Sequence, residues 1–433
     1  MKAGLLALRI ALRRWLGVWD KTTTVVADSP TAPSPPEVDP PPAPAPMSAV
    51  GDVKRLAASS NALGFDLYAK VRGGSGNLAL SPASISAALA MTYGGARGET
   101  EAQMKRVLHL DGTRDAAMTE WGNLSRALQD PGRPLKLRIA NRLFGEKTVR
   151  LEQPFLDRTK EAYGAPLEPT DFKNAAEPSR GRINGWVEDQ TETRIKELLP
   201  PDSIDAETRL VLVNAIYFLA DWADPFLQHA TFDETFHVSA TTAKRTPTMH
   251  GGGPRRIVQA DGVTVLELPY QGDDAAMLII LPDRVDGLAS VEASLSAATL
   301  DAWMAALSTK RVSIALPRFE VSPQPSMSLG EELKKLGMTD AFDADLANFT
   351  GIANPTDPRE RLQISGVFHK AFVKVDEKGT EAAAATAVLM PRAGGAPSFE
   401  IDFKADHPFL FVIVDKKSGL ALFVGRVVDP TAT

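Results

Sequence analysis

The run Arg209-Leu-Val-Leu-Val-Asn-Ala-Ile-Tyr-Phe-Leu219 decides what kind of fold this chain can adopt. It is apolar almost without interruption and rich in β-branched and aromatic residues. It lacks the alternation of a strand with one wet face, so it reads as a central strand covered on both sides. Asn214 stands in the middle of it. A side-chain amide in such a place costs free energy unless it is hydrogen-bonded, so specific polar partners are expected.

Outward from this strand, the second half of the chain reads as more strands: Gly262 to Leu268, Ala275 to Leu281, Arg311 to Pro317, Gln363 to Val375, Phe399 to Phe403, Phe409 to Val414 and Ala421 to Val427. Two helical runs, Ser290 to Leu307 and Ser328 to Leu336, lie among them. The first half favours helices. Val53, Leu56, Leu63, Phe65, Leu67 and Val71 recur at helical spacing, and Ala140 to Phe144 reads as a strand. In Asn77-Leu-Ala-Leu-Ser-Pro-Ala-Ser-Ile85, Ser81 and Pro82 take the cap and first positions of a helix that is apolar nearly all round and should lie deep inside. Helices gathered in one half and strands in the other imply an α+β fold with large sheets, not an alternating parallel one. No internal repeat and no linker interrupts the chain after Met47, so one large domain is expected.

The 433 residues are 44% hydrophobic and 24% charged, enough for a sizeable core. A net charge of −6 and the lack of a basic stripe with interleaved aromatics argue against nucleic acid as a partner. With no cysteine there can be no disulfide, thiolate metal site or cysteine nucleophile. Residues 1–28 begin with Leu5, Leu8, Leu12, Leu16 and Trp19 at helical spacing, separated by Lys2, Arg9, Arg13 and Arg14. The arginines break the apolar stretch a signal peptide needs, so an atypical export signal, a membrane-surface helix and a misassigned start codon all stay open. Residues 29–47 are a proline-rich, extended linker, and the folded domain should span 48–433.

Catalytic chemistry leaves little trace. The histidines, His109, His229, His237, His250, His369 and His407, are scattered singly, with no metal-binding pair at helical spacing. Gly73-Gly-Ser-Gly76 lacks the strand-to-helix context of a nucleophile elbow and reads as a loop. Gly251-Gly-Gly253 lacks the lysine of a phosphate loop and reads as a flexible loop. The acidic pairs Glu331-Glu332 and Asp343/Asp345 read as solvated faces or caps. No metal, cofactor or enzyme activity is expected. His369 falls inside an apolar strand as Asn214 does, and with Ser81 and Ser84 on the buried helix it could form a hydrogen-bonded cluster, structural or functional.

The remaining feature is Glu377-Lys-Gly-Thr-Glu-Ala-Ala-Ala-Ala-Thr386, followed by Ala-Val-Leu-Met390 and the breakers Pro391-Arg-Ala-Gly-Gly-Ala-Pro397. By composition alone it is a turn or two of surface helix or a low-complexity linker.

Taken in order, these segments resemble the serpins, the serine protease inhibitor family, from Asn61 to Pro430. Asn77 to Ile85 resembles the family's helix B. Ile183-Asn-Gly-Trp-Val187, Thr208 to Phe218 and Trp222 resemble the passage from helix F into the third strand of sheet A. Leu316-Pro-Arg-Phe319, Leu336-Gly-Met338, Phe403-Lys-Ala-Asp-His-Pro-Phe-Leu-Phe411 and Phe423-Val-Gly-Arg-Val427 match further family segments. The chain departs from the common pattern at Leu219-Ala220-Asp221, Thr193-Arg194 and Met249-His250.

The resemblance, to an inhibitory member of prokaryotic type, implies the serpin fold: three β-sheets (A, B and C), eight or nine helices and an exposed reactive loop. It implies a suicide substrate of serine proteases rather than an enzyme. Cleavage of the loop would be followed by insertion of the hinge into sheet A and trapping of the acyl-enzyme. The hinge would comprise Glu377, Lys378, Gly379, Thr380, Glu381, Ala382, Ala383, Ala384 and Ala385. Ser81, Ser84, Asn214 and His369 would form the shutter, and Trp222, Arg318 and Glu377 the breach, with Glu377 paired to Arg318. The usual spacing from the hinge glutamate puts the specificity residue at Ala393, cleaved before Gly394, which suits elastase- or subtilisin-like proteases. A loop one residue shorter puts it at Arg392, cleaved before Ala393, which suits trypsin-like ones. The partner would be the protease in a covalent acyl complex, the chain a monomer, and the setting extracellular or the cell envelope, with the cytoplasm open for want of a clear signal. The alternative is a non-inhibitory, carrier- or chaperone-like member.

The inward set of a future strand, Thr380, Ala382, Ala384, Thr386 and Val388, carries only small or β-branched groups, as insertion into a packed sheet requires.

Overall fold

A computed structural model describes residues 50–164, 167–260, 262–322, 325–380 and 398–432. The amphipathic segment 1–28, the linker 29–47, hinge residues Glu381 to Ala385 and the candidate scissile residues Arg392, Ala393 and Gly394 lie outside them. Among the described residues the helices are α1 (Val50–Val71), α2 (Pro82–Tyr93), α3 (Gly98–Val107), α4 (Arg114–Leu128), α5 (Gln153–Tyr163), α6 (Phe172–Gln190), α7 (Leu288–Ser294), α8 (Ala297–Ala306) and α9 (Gly330–Lys335). The strands are β1 (Leu78–Leu80), β2 (Lys136–Glu146), β3 (Glu168–Thr170), β4 (Leu210–Asp221), β5 (Thr231–His237), β6 (Ala243–Ala260), β7 (Val263–Pro269) and β8 (Ala275–Pro282). They continue with β9 (Ser308–Pro317), β10 (Phe319–Val321), β11 (Met327–Ser328), β12 (Ile364–Val375), β13 (Gly379–Thr380), β14 (Ile401–Lys404), β15 (Phe409–Asp415) and β16 (Leu420–Val427). The class is α+β.

One sheet has the strand order β10-β12-β13-β4-β2-β3, with β11 paired to β12. Its central strand β4 is covered on both faces, which is why the sequence shows no alternation. Val211, Val213, Ala215 and Tyr217 pack with Ile183 and Val187 of α6. Ile216 and Phe218 turn to the opposite core. A second network of nine strands turns on β6, whose partners change along its length. Met249 to Ala243 pairs with β5, Thr248 to Ile257 with β9, and Ile257 to Ala260 with β7. The network therefore divides into two sheets joined by one long strand.

Helix α2 lies between the sheets, and all twelve of its residues are buried. Ser81, in extended conformation, caps it by accepting the Ser84 N–H at 3.2 Å, and Pro82 occupies the first turn. The helix packs on β2, β4 and β16. Its apolar surround is thus the signature of contact with two sheets at once.

Two expectations differ. Gly251-Gly-Gly253 is not a loop but lies within β6. Phe226 covers Gly251, where a Cβ would come within 2.9 Å of the ring, and a Cβ on Gly252 would meet the Val312 carbonyl oxygen at 2.6 Å and Phe399 at 2.8 Å. The glycines make room for rings laid on the strand. The run Ser290 to Leu307 is two helices, because Ser296 adopts extended geometry and caps the second through Thr299 N–H at 3.1 Å.

Candidate functional site

The seven-stranded sheet brings Ser81, Ser84, Asn214 and His369 together at its centre. Strands β12 and β4 run parallel, and their register sets His369 beside Asn214, while the antiparallel register of β2 sets Asn141 on the other side of Asn214. The even face of β4 presents Asn214 to the N-terminus of α2. The Ser81 backbone N–H donates to His369 Nε2 at 3.1 Å, so the ring proton lies on Nδ1, which donates to Asn214 Oδ1. Asn214 Nδ2 donates to Ser84 Oγ at 2.6 Å and to Asn141 Oδ1. Asn141 Nδ2 returns a bond to the Ser84 carbonyl at 2.9 Å.

His369 is fully buried, and burial pushes its pKa down to about 3, against a smaller upward effect of the Asn214 bond. Geometry acts in the same direction, because a proton on Nε2 would face the Ser81 N–H donor. The ring is neutral, and it joins α2 to β12 and β4.

At one end of the same sheet, β12 and β4 part. Their direct pairing runs from Ile364 opposite Leu210 to Phe372 opposite Tyr217. Beyond it β13 lies between them, antiparallel to both: Thr380 is level with Val375 on one side and Ala220 on the other, and Gly379 with Asp221. Thr380 is fully buried. Of the residues expected to form a hinge, the four described ones, Glu377, Lys378, Gly379 and Thr380, therefore lie docked at this end.

The docking is held by backbone and side chain alike. Trp222 N–H donates to the Lys378 carbonyl at 2.6 Å, Trp222 Nε1 to the Asp376 carbonyl at 3.0 Å, and Phe226 N–H to the Glu377 carbonyl at 2.8 Å. The buried Glu377 carboxylate accepts from Arg318 Nε at 2.9 Å, from Arg318 Nη2 and from the Thr231 hydroxyl. Burial pushes the Glu377 carboxyl pKa up, but the Arg318 and Thr231 bonds outweigh it and hold the pKa below the usual value. The Trp222 ring stacks on Tyr270 at 4.6 Å between centroids and 10° between planes, and Tyr270 makes a 2.6 Å hydroxyl bond to Thr380.

Asn141, Tyr270 and Thr231 were not singled out from the sequence. Asn141 carried a signal of the same kind as Asn214, an amide inside a predicted strand. Tyr270 and Thr231 carried none, since they reach Thr380 and Glu377 from the other network, Tyr270 just beyond β7 and Thr231 at the start of β5. Among the described residues no group of three or more His, Asp or Glu is placed to hold a metal ion, and no helix is long and apolar enough to cross a membrane.

A profile of the family described as "Serpin (serine protease inhibitor)" matches residues 58–430. The leukocyte elastase inhibitor of Sus scrofa is 40% identical over 388 residues, covering 87% of this chain and 100% of that protein. Among solved structures, a highly specific serpin of the insect Tenebrio molitor has a TM-score of 0.75 at 31% identity, covering 87% of this chain and 98% of that one. Human thyroxine-binding globulin complexed with thyroxine has a TM-score of 0.77 at 30% identity, covering 88% of this chain and 100% of that one.

Proposed function

The chain belongs to the serpin family, and on that premise we propose that it inhibits serine proteases as a suicide substrate. The family description is of an inhibitor, not a catalyst, and its partner is a protease. One observation carries the mechanistic step: Gly379 and Thr380 already form a short strand between β12 and β4. Serpin loop insertion is itself a type example of strand addition and of strain released by cleavage.

Continuing the register of Thr380, one residue at a time down both neighbours, brings Thr386 level with His369 and with Asn214 at once. The inward Ala382 and Ala384 come between. The inserted chain would first unzip Phe372 from Tyr217 and then replace the His369–Asn214 bond, with the Thr386 hydroxyl at that level. On this reading Ser81, Ser84, Asn141, Asn214 and His369 act as the shutter, and Trp222, Arg318 and Glu377 as the breach.

Once a protease forms an acyl bond in the loop, a fourteen-residue insertion would span roughly 46 Å at about 3.3 Å per residue. New backbone bonds at about 1 kcal/mol each would contribute on the order of 10 kcal/mol toward distorting the acyl-enzyme. The resulting complex is covalent and the free inhibitor monomeric. A carrier-like role is disfavoured by the small inward set from Thr380 to Val388. An extracellular or cell-envelope setting follows from the resemblance alone, and fractionation of the source cells decides it.

Incubation with elastase and with trypsin, followed by a denaturing gel and sequencing of the released C-terminal peptide, tests the proposal. A peptide beginning at Gly394 identifies Ala393 as the specificity residue, and one beginning at Ala393 identifies Arg392. Complete loop cleavage by both proteases without a denaturant-stable complex would favour the non-inhibitory alternative.

A further inference from the structure

The hydroxyl of Tyr270 has one partner that belongs to the hinge. Tyr270 follows β7 and is fully buried; its oxygen lies 2.6 Å from Thr380 Oγ1, which is fully buried too. Its position is fixed from several sides. The ring stacks on Trp222 and meets Phe218 edge-on at 5.1 Å. Its N–H donates to the Ala275 carbonyl at 3.0 Å, and its backbone bridges to Trp222. Tyr270 therefore projects from the end of β7, in the second strand network, onto Phe218 of β4 and the neighbouring Trp222.

A buried hydroxyl without a partner is costly, and each of these two hydroxyls supplies the other's. The pair favours the state in which the first inward side chain of the hinge is seated between β12 and β4 over the state in which it is withdrawn.

We propose that Tyr270 is a positioning residue for inhibition: it seats Thr380 in the sheet before cleavage and so sets the fraction of protease encounters that end in a trapped complex rather than in released, cleaved inhibitor. After cleavage, insertion competes with hydrolysis of the acyl bond. A hinge already seated starts that race one step ahead, whereas a withdrawn hinge must first re-enter. The inference rests on the proposed inhibitory function and names a residue outside the breach set derived from the sequence.

The test uses the full chain with elastase and with trypsin, comparing wild type, Tyr270→Phe, Thr380→Val and the double variant. Both single variants remove the same bond from opposite ends while keeping shape. Loss of one buried hydroxyl pair shifts the seating equilibrium roughly tenfold. Each single variant should therefore raise the stoichiometry of inhibition several-fold and speed amide exchange at residues 378–380 of the uncleaved chain. The double variant should do no more than either single one, because the bond can be lost only once. A purely structural role would lower the unfolding midpoint without changing the stoichiometry. If wild type forms complex and Tyr270→Phe partitions like it, or if the single effects add, the inference is overturned while inhibition stands. If wild type forms no complex with either protease, both fall.

Discussion

A Cβ placed on Gly379 would lie 2.0 Å from the carbonyl oxygen of Ala220 and 2.7 Å from the Asp221 Cα. Both contacts are with the β4 backbone, which has no rotamer to yield, so only glycine fits where β13 enters the sheet. Gly379→Ala should expel the hinge from its docked position. Amide exchange at Gly379 and Thr380 should rise, and the denaturant-stable complex should give way to cleaved inhibitor. Unchanged exchange protection in this variant would show that the docking tolerates a side chain and would remove the basis for it.

The inward direction of Thr380 leads to a second outcome. Its side chain is fully buried against Tyr270, and a guanidinium there would be desolvated. Thr380→Arg should convert the inhibitor into a substrate that is cleaved and released. Undiminished covalent complex in that variant would sink the hinge assignment.

Glu377 and Arg318 set a third. The carboxylate is buried and the guanidinium is half-exposed. Arg318→Ala would leave a buried carboxylate with only the Thr231 hydroxyl, a loss of about 1–3 kcal/mol in urea unfolding at pH 7. Because the Glu377 pKa is lowered on folding, the contribution is present above the ordinary carboxyl pKa near 4.5 and is lost as pH falls below it. The difference between wild type and Arg318→Ala should shrink between pH 5 and pH 3, and a constant difference would contradict the pairing.

His369 gives the pH dependence of the sheet centre. Its folded pKa of about 3 lies below the ordinary 6.5, so the unfolded chain binds this proton first. The stability is fully present above pH 6.5 and is lost progressively as pH falls toward 3, at about 1.4 kcal/mol per pH unit. His369→Gln removes the titration, so urea midpoints of wild type and variant should converge as the buffer moves from pH 7.5 to 4.5. Parallel curves would mean that the ring is not held neutral.

Much of this was legible in the sequence where local pattern and tertiary role coincide. The unbroken apolar run of β4 and the all-round apolar α2 announced double burial, and Asn214 and His369 stood out because an apolar strand gives a polar side chain nowhere to hide. Ser81 and Pro82 wrote the start of α2 in cap chemistry alone. The glycines of β6 misled, because their reason is a ring arriving from Phe226 or Phe399, far away in sequence. Tyr270 was silent for the same reason, its meaning lying entirely in a contact 110 residues downstream. The two-residue strand β13 is too short for periodicity to reveal, and its identity came through resemblance.

The central claim is that the hinge goes on inserting between β12 and β4 once the loop is cut, and thermal unfolding of intact and loop-cleaved chain measures this most directly. Limited cleavage between Met390 and Pro397 by a protease that is not trapped yields the cleaved form. Insertion worth on the order of 10 kcal/mol should raise its midpoint by on the order of 10 °C or more. A cleaved chain that unfolds at or below the temperature of the intact one would contradict the account.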